Sequence, residues 1–569
     1  MTVKLRNVSF TYWQSDRPAL QDVSLDISAG EFVVITGPTG AGKSTFLQLL
    51  NGLIPHQIPG NLTGEVLIKG RSTKAASVAE LSREVGMVFE DPDTQIVSLT
   101  VEDDVAFGPS NLGLRPEEIR ASVRQALQYT RLLGFEDRNP FTLSGGEMQS
   151  LAMAGTLAMR PEILALDEPT SMLDPLGRAR IISILKSLAA ETRSTILVVE
   201  QNPELVIDLA DRVLLFDEGR VIKNGTPEQV FGDVGTLLQV GVKLPPTMEV
   251  FWELRQRGLW EQALPLTFQE AAEALRWKLH PNGASPEIRV PPTPPKEDTI
   301  VKVQRLEHVY GDGLAALKSI DVQFERGEFT AIVGQNGSGK STLAHHLVGI
   351  LQPTNREGRV LVDGLDVRNT PLRELIRHVN YVFQNPDDQL FQESVREEIE
   401  YGLKNLGIGE EERKRRLESV LARFGLQDDV EAPPKSLRRG LRTKIAIASL
   451  VAMQPAVLVV DEPTTGLDRL ESLEIMRVLE ELVDSGTTVI FITHEMDLVA
   501  QFARRVVVMH AGNVLIEGPP TKVFSELPIL EEASLSPPDI YRLAALLGWS
   551  HLPPLRTPAD LADLIARAM

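Results

Sequence analysis

Two glycine-rich segments of this chain contain residues that could bind phosphate. GPTGAGKST spans residues 37–45 and GQNGSGKST spans residues 334–342, and each directly follows an apolar run. Glycines let such a loop curl so that its N–H groups point at phosphate oxygens, while the lysine neutralises the β and γ phosphates and the serine ligates Mg²⁺. The sequence therefore predicts ATP binding at both segments, through Gly37, Gly40, Gly42, Lys43, Ser44 and Thr45, and through Gly334, Asn336, Gly337, Gly339, Lys340, Ser341 and Thr342.

Each half of the chain also carries an Asp-Glu pair that could hydrolyse the bound nucleotide. The pairs end the apolar runs ILAL and VLVV, and Pro-Thr follows both. In an open α/β sheet this places two carboxylates at the strand ends, where ligands bind. An isolated Asp-Glu is usually a solvated turn, but the repeated context favours a catalytic role. We expect Asp167 and Asp461 to hold Mg²⁺, and Glu168 and Glu462 to orient or deprotonate the attacking water.

The order of the predicted elements indicates the fold that must position these groups. Strand-like runs alternate with helical stretches in both halves, which favours an α/β fold with a mostly parallel sheet. The repeat is long enough to predict two similar domains rather than a solenoid. GTPEQVF and GPPTKVF mark where each half continues into a small helical appendage. We predict ATPase domains at 1–235 and 299–527, appendages at 236–281 and 528–569, and a proline-rich linker at 282–298.

Composition excludes several other classes of protein. The 569 residues include no cysteine, which rules out disulfides, Fe–S clusters and thiolate metal sites. No apolar run approaches the ~18 residues that a membrane-spanning helix needs. The net charge of −20 disfavours nucleic acid as a partner. We therefore expect any link to a membrane to run through protein partners.

A further motif, LSGGE at 143–147, precedes the first Asp-Glu strand. Together these motifs resemble those of the ATP-binding cassette (ABC) ATPases over nearly the whole chain. The resemblance implies two tandem ABC-type P-loop NTPase domains, each with a helical signature subdomain and a small helical C-terminal appendage. In that family two cassettes pack head to tail, here within one chain, and each ATP lies between one phosphate loop and the other cassette's signature. Lys340 would then face Ser144, Gly145, Gly146 and Glu147, whereas Lys43 would face Arg438, Arg439 and Gly440.

Departures from the family pattern fall on one of these two composite sites. The glutamine expected after the strand that follows the phosphate loop is Gln384 in the second copy but Glu90 in the first. The histidine expected after the last strand is His494 in the second copy but Gln201 in the first. The second signature reads LRRGL. The resemblance thus implies one competent site, with catalytic Glu462, His494 and Gln384 and metal ligands Ser341, Gln384 and Asp461. In the degenerate site it implies Ser44, Asp167 and Glu90 as metal ligands, with slow turnover by Glu168 left open.

Two assignments from the sequence leave alternatives. Tyr12 and Tyr310 lie where the family stacks an aromatic ring on adenine, but a tyrosine buried in the core is the other interpretation. Arg438 and Arg439 could hold the nucleotide, since guanidinium groups suit phosphate, or could line a solvated loop.

Three stretches resemble the energy-coupling factor (ECF) importers: VFQNPDDQ with SVREEIEYG, GLIPHQIPGNLTGEV, and the appendages. This resemblance implies two partners, a transmembrane coupling protein that docks behind Glu90 and Gln384 and a small membrane protein that binds the substrate. The chain would lie at the cytoplasmic face of the membrane and energise uptake of a vitamin, a vitamin precursor such as a thiamine precursor, or a metal ion. The alternatives are the ATPase of a sugar importer and a soluble ABC-F-like translation factor.

Overall fold

The structure, a computed structural model, describes residues 2–171, 173–278, 298–311, 313–549 and 553–568. The chain divides into two compact units, residues 1–271 and 272–569, with the boundary inside a helix at Phe268–Lys278. The predicted proline-rich linker lies outside the described residues except for Asp298. Among the described helices, none combines the length and the apolar composition needed to cross a bilayer.

The first unit contains ten strands and, with the boundary helix, eleven α-helices among its described residues. The strands are β1 Val3–Tyr12, β2 Leu20–Ile27, β3 Phe32–Thr36, β4 Gly60–Ile68, β5 Arg71–Ser72, β6 Val85–Val88, β7 Ile163–Asp167, β8 Thr195–Val199, β9 Arg212–Asp217 and β10 Arg220–Gly225. The helices are α1 Lys43–Leu50, α2 Leu53–His56, α3 Val78–Leu81, α4 Val101–Asn111, α5 Pro116–Tyr129, α6 Gly145–Ala158, α7 Pro175–Glu191, α8 Pro227–Phe231, α9 Val234–Gln239, α10 Pro246–Gln256 and α11 Phe268–Lys278.

The second unit repeats this order of elements. Its strands are β11 Thr299–Val309, β12 Ala315–Glu325, β13 Phe329–Val333, β14 Arg359–Val362, β15 Leu365–Asp366, β16 Val379–Val382, β17 Val457–Asp461, β18 Thr488–Ile492, β19 Arg505–His510 and β20 Asn513–Gly518. Its helices are α12 Lys340–Leu347, α13 Leu372–Leu375, α14 Val395–Asn405, α15 Glu410–Phe424, α16 Arg439–Val451, α17 Arg469–Asp484, α18 Met496–Phe502, α19 Pro520–Ser525, α20 Leu527–Glu532, α21 Asp539–Leu546 and α22 Pro558–Ala568.

Each unit is built on a six-stranded sheet in which five consecutive strands are parallel. The orders are β6-β7-β8-β3-β9-β10 and β16-β17-β18-β13-β19-β20, and only the last strand of each is antiparallel to its neighbour. All five residues of β3, β7 and β8 are buried, as are those of β13, β17 and β18, because helices cover both faces of such a sheet. A four-stranded antiparallel sheet, β2-β1-β4-β5 or β12-β11-β14-β15, completes each unit. The predicted α/β fold class is confirmed.

Two helical regions extend each unit beyond its sheets. In the first unit α4, α5 and α6 enclose a separate apolar core that includes Val105, Leu127 and Leu151, and α14, α15 and α16 occupy the same place in the second sequence. After the last strand the chain forms short helices. In the first unit Phe251 of α10 packs edge-on against Trp260, with ring centroids 4.7 Å apart. Helices α10, α11, α21 and α22 lie in the residues for which appendages were predicted, whereas α8 and α19 precede those residues and α9 and α20 begin just before them.

Candidate functional site

Both phosphate loops lie between a central strand and the helix that begins at the lysine. Gly42 and Gly339, the helix N-caps, have φ of 97° and 103°. A Cβ at Gly42 would stand 2.4 Å from the carbonyl oxygen of Ala19, so only glycine fits this left-handed turn. These glycines allow the chain to turn sharply at the start of α1 and α12. The turn places the lysine ammonium group over the loop.

The lysine side chains lie inside their own loops. Lys43 Nζ donates to the carbonyl oxygens of Gly37 and Pro38 at 2.8 Å each. Lys340 Nζ donates to the carbonyl oxygens of Gly334 at 2.8 Å and Gln335 at 2.7 Å. Both lysines are more than nine-tenths buried, so each loop holds a positive charge at the place where phosphate is expected.

The serine after each lysine is paired with the aspartate that ends β7 in the first unit and β17 in the second. Ser44 Oγ donates to Asp167 Oδ1 at 3.1 Å, and Ser341 Oγ donates to Asp461 Oδ2 at 2.9 Å. Burial raises the pKa of Asp167 to about 6, although the bond from Ser44 lowers it, and burial also raises the pKa of Asp461. A hydroxyl and a carboxylate are the hard oxygen ligands that Mg²⁺ takes, so these residues fit the ion.

The glutamates that follow these aspartates share an unusual backbone and differ in their partners. Glu168 and Glu462 have φ of 45° and 47°, a left-handed conformation that non-glycine residues rarely adopt. Gln201 Nε2 donates to both carboxylate oxygens of Glu168, at 2.7 and 2.9 Å. Glu462 Oε1 instead lies 2.9 Å from His494 Nδ1. The residue two positions after β8 and β18 therefore contacts the glutamate in both units, but with an amide in one and an imidazole in the other.

Burial and nearby charges perturb the carboxyl group of Glu168. Burial raises its pKa to about 8, Lys43 lowers it, and the charges of Glu90 and Glu200 raise it. This carboxyl therefore keeps its proton to a higher pH than an exposed glutamate does.

Tyr381 is a residue of the second site that the motifs did not reveal. It lies on β16, is 9% exposed, and its hydroxyl donates to Asp461 Oδ2 at 2.6 Å. Burial and the charge of Asp461 raise the pKa of Tyr381, so the hydroxyl stays a donor. The matching residue on β6 is Met87, which has no hydroxyl. In the sequence this difference is visible only as the tyrosine in VNYVFQ and the methionine in VGMVFE.

Other predicted residues take less specific positions. Glu90 is half-buried and acts on the pKa of Asp167, whereas Gln384 is exposed and forms no hydrogen bond to any described residue. The hydroxyl of Tyr12 lies 2.8 Å from Thr45 Oγ1, and that of Tyr310 lies 3.1 Å from Thr342 Oγ1. The 38% exposure of Tyr310 excludes the buried-core interpretation for that residue.

The two signature segments begin their helices differently. Ser144 and Glu147 form a capping box at the start of α6, with Ser144 Oγ donating to Glu147 Oε2 at 2.8 Å. Helix α16 begins at Arg439, and its N-cap residue, Arg438, forms no side-chain capping hydrogen bond. The guanidinium of Arg438 lies 3.2 Å from Glu471 Oε1. That of Arg439 lies 3.1–3.3 Å from where a Cβ on Gly466 would stand, in the loop before α17.

Together the sheet, the phosphate loops and the Ser–Asp pairs define a phosphate-loop nucleotide hydrolase, present twice. A family model described as ABC transporter matches residues 20–171 and 317–465. The chain belongs to the ABC transporter family, whose ATP-binding proteins are ATPases coupled to transport. It is thus an ATP-binding, ATP-hydrolysing protein, and the predicted ABC class is confirmed.

The chain is similar to other proteins of the same layout along nearly its full length. A provisionally named ABC transporter ATP-binding protein of Methanosarcina acetivorans is 41% identical, over 99% of this chain and 93% of its own. One from Caldanaerobacter subterraneus subsp. tengcongensis is 38% identical, over 96% of each chain. A solved structure of cbiO1 from Clostridium perfringens, described as part of the ABC transporter complex cbiONQ, is 38% identical. It covers 44% of this chain and 100% of its own, with a TM-score of 0.39.

Proposed function

We propose that this chain is the ATP-hydrolysing, energising subunit of an ECF-type membrane importer, with one competent and one degenerate ATP site. The competent site is built on Lys340 and completed by the signature at 143–147. The degenerate site is built on Lys43 and completed by the segment at 437–441. The observation that carries the proposal is the partner of the catalytic glutamate, which is His494 in one unit and Gln201 in the other.

In the competent site each residue has a separate task. Lys340 would hold the β and γ phosphates, and Ser341, Asp461 and Gln384 would hold Mg²⁺. When bound, Mg²⁺ neutralises charge on the transferring phosphate. Glu462 orients the attacking water and accepts its proton. His494 fixes the glutamate through the 2.9 Å contact and presents its ring to the γ-phosphate.

The degenerate site holds ATP as a structural ligand. Its phosphate loop and Ser44–Asp167 pair are intact, so binding is retained. Turnover is slow because both carboxylate oxygens of Glu168 accept hydrogen bonds from Gln201, which leaves them less available to an attacking water.

Exposed apolar side chains support docking of a transmembrane coupling protein beside Glu90 and Gln384. In the first unit these are Leu99 at 76% exposure and Val97 at 63%, and in the second Phe391 at 59%. Exposed apolar groups gathered on the surface of a soluble domain are typical of a protein interface. The chain would thus lie at the cytoplasmic face of a membrane, with a second, small membrane protein binding the substrate. A vitamin or its precursor, a thiamine precursor in particular, or a metal ion is the proposed cargo.

The catalytic asymmetry can be tested with matched glutamate variants in the complex purified with its membrane partners. Glu462→Gln is expected to abolish ATP turnover, because it removes the base of the competent site. Glu168→Gln is expected to leave most of the turnover intact. Equal losses from the two variants would contradict the asymmetric model.

The transport role is tested by tagging the chain in its host and identifying what copurifies from solubilised membranes. One coupling protein and one small membrane protein would support the importer, and the ligand of the small protein would identify the cargo. A periplasmic-type sugar-binding system would favour the sugar-importer alternative. Ribosomes without any integral membrane protein would refute transport and favour a translation factor.

A further inference from the structure

The contact between the signature helix and the helix after the Asp-Glu strand differs between the two units. In the first unit Gly146 of α6 lies against Gly177 of α7, and a Cβ at Gly146 would stand 2.7 Å from Gly177 Cα. The second unit keeps the glycine, Gly440, but carries Glu471 in place of the opposing glycine. A Cβ at Gly440 would stand 2.5 Å from Glu471 Oε1 and 2.6 Å from its Cδ. In the second unit, the carboxylate of Glu471 thus lies where the backbones of the two helices are in direct contact in the first unit.

This carboxylate is buried. Glu471 is 5% exposed, and within the described part of the chain neither of its oxygens accepts a hydrogen bond. Burial and the charges of Asp468 and Glu474 raise its pKa, while Arg438 and Lys444 lower it. A buried carboxylate is costly unless a cation compensates it.

Arg438 is the cation closest to this carboxylate. Its NH1 lies 3.2 Å from Glu471 Oε1, and its side chain is 60% exposed. The two partners therefore differ in their need for the pair. The buried charge of Glu471 depends on Arg438 for compensation, whereas the exposed guanidinium of Arg438 could be hydrated without Glu471. Lys444, the other nearby cation, is bonded to Glu474.

We propose that Glu471 is a positioning residue that holds Arg438 against α17, so that this guanidinium serves an internal ion pair instead of a bound nucleotide. The residues at these two positions then belong together: the first copy has Ser144 with Gly177, and the second has Arg438 with Glu471. The second signature cannot be made functional by restoring its own residues alone. The catalytic part of this inference rests on the proposed function, whereas the pairing itself does not.

A double-mutant cycle on thermal unfolding tests the pairing independently of transport. Arg438→Ser is expected to lower the unfolding midpoint, because it leaves the buried carboxylate uncompensated. Arg438→Lys should lower it less, since the charge is retained. Glu471→Gly, which copies the first unit, should recover most of the loss caused by Arg438→Ser. The matched control is Arg396→Ser, which breaks an exposed pair with Glu431 and should have little effect. Additive effects of the 438 and 471 changes would overturn the proposal.

The catalytic part is tested in a Glu462→Gln background, where the proposed competent site is silent. The background also carries Glu90→Gln and Gln201→His, so that the signature is the remaining departure of the Lys43 site from the family pattern. Restoring the second signature with Arg438→Ser, Arg439→Gly and Leu441→Glu is expected to leave ATP turnover at the background level. Adding Glu471→Gly is expected to raise turnover at least tenfold at an unchanged affinity for ATP.

A gain from the signature changes alone would overturn the role of Glu471, and so would no gain after all four changes. If Glu462→Gln itself retained wild-type turnover, the proposed function would fail. The unfolding cycle would then still decide whether the ion pair exists.

Discussion

Replacing Tyr381 by phenylalanine removes one hydroxyl from the proposed competent site and little else. The ring would keep its packing against His345 and Phe383, whose centroids lie 5.1 and 5.0 Å away. What is lost is the 2.6 Å bond to Asp461 Oδ2. A hydrogen bond to a charged group is worth about 1.5–3 kcal/mol. Because 1.4 kcal/mol is a factor of ten, this corresponds to about a 10- to 100-fold effect, the range typical of partners that orient a metal ligand.

The assay is ATP turnover of the complex as a function of Mg²⁺ concentration. We expect the Mg²⁺ concentration for half-maximal rate to rise by about ten-fold or more, because Asp461 is no longer held by two donors. The hydroxyl also lowers the pKa of Asp461, so its loss raises that pKa further. An acid with a higher pKa keeps its proton to higher pH, and the proton competes with Mg²⁺. The defect should therefore be larger at pH 6 than at pH 8.

Met87→Leu is the matched control, since it changes the same position of the other unit with little change in volume. It should leave the Mg²⁺ requirement unchanged. If Tyr381→Phe needed no more Mg²⁺ than the wild type at either pH, Tyr381 would be a packing residue and the reasoning would be wrong.

Two further predictions concern the signature helices. Gly146→Ala is expected to lower the free energy of unfolding by about 1–3 kcal/mol in a denaturant titration, because its Cβ would stand 2.7 Å from the backbone of α7. Gly145→Ala, whose Cβ would meet nothing closer than 3.8 Å, is the control, and equal costs would contradict the packing argument. In Arg438→Ser the pKa of Glu471, already raised by burial, rises further, so the folded state binds this proton more tightly than the unfolded state. The stability deficit should then grow from pH 5 to pH 8, and a deficit that shrinks would refute it.

The sequence was sufficient for those parts of the site that a local segment specifies. The phosphate loops and the Asp-Glu strands could be predicted because a few adjacent residues set their backbone, and the strand ends of a parallel sheet meet at one edge. The asymmetry between His494 and Gln201 was also readable from aligned segments.

Contacts between distant segments could not be predicted in the same way. The bond from Tyr381 to Asp461 joins residues 80 positions apart, and no periodicity encodes it. The two interpretations of Arg438 stayed open because the deciding residue, Glu471, lies on another helix. The sequence shows that Glu471 replaces the glycine found at residue 177 of the first copy. Its pairing with Arg438, however, follows only from the packing of α16 on α17.

The left-handed backbone at Glu168 and Glu462 has a consequence for how the chain can change over time. Such a conformation costs a non-glycine residue about 1–3 kcal/mol, and the molecule bears that cost in both units. At residue 168 glycine would adopt the same φ without strain. A Glu168→Gly substitution, which needs one base change, would therefore remove this strain from the first unit and raise its stability. Under the proposed function, with turnover confined to the Lys340 site, this gain would offset destabilising changes elsewhere.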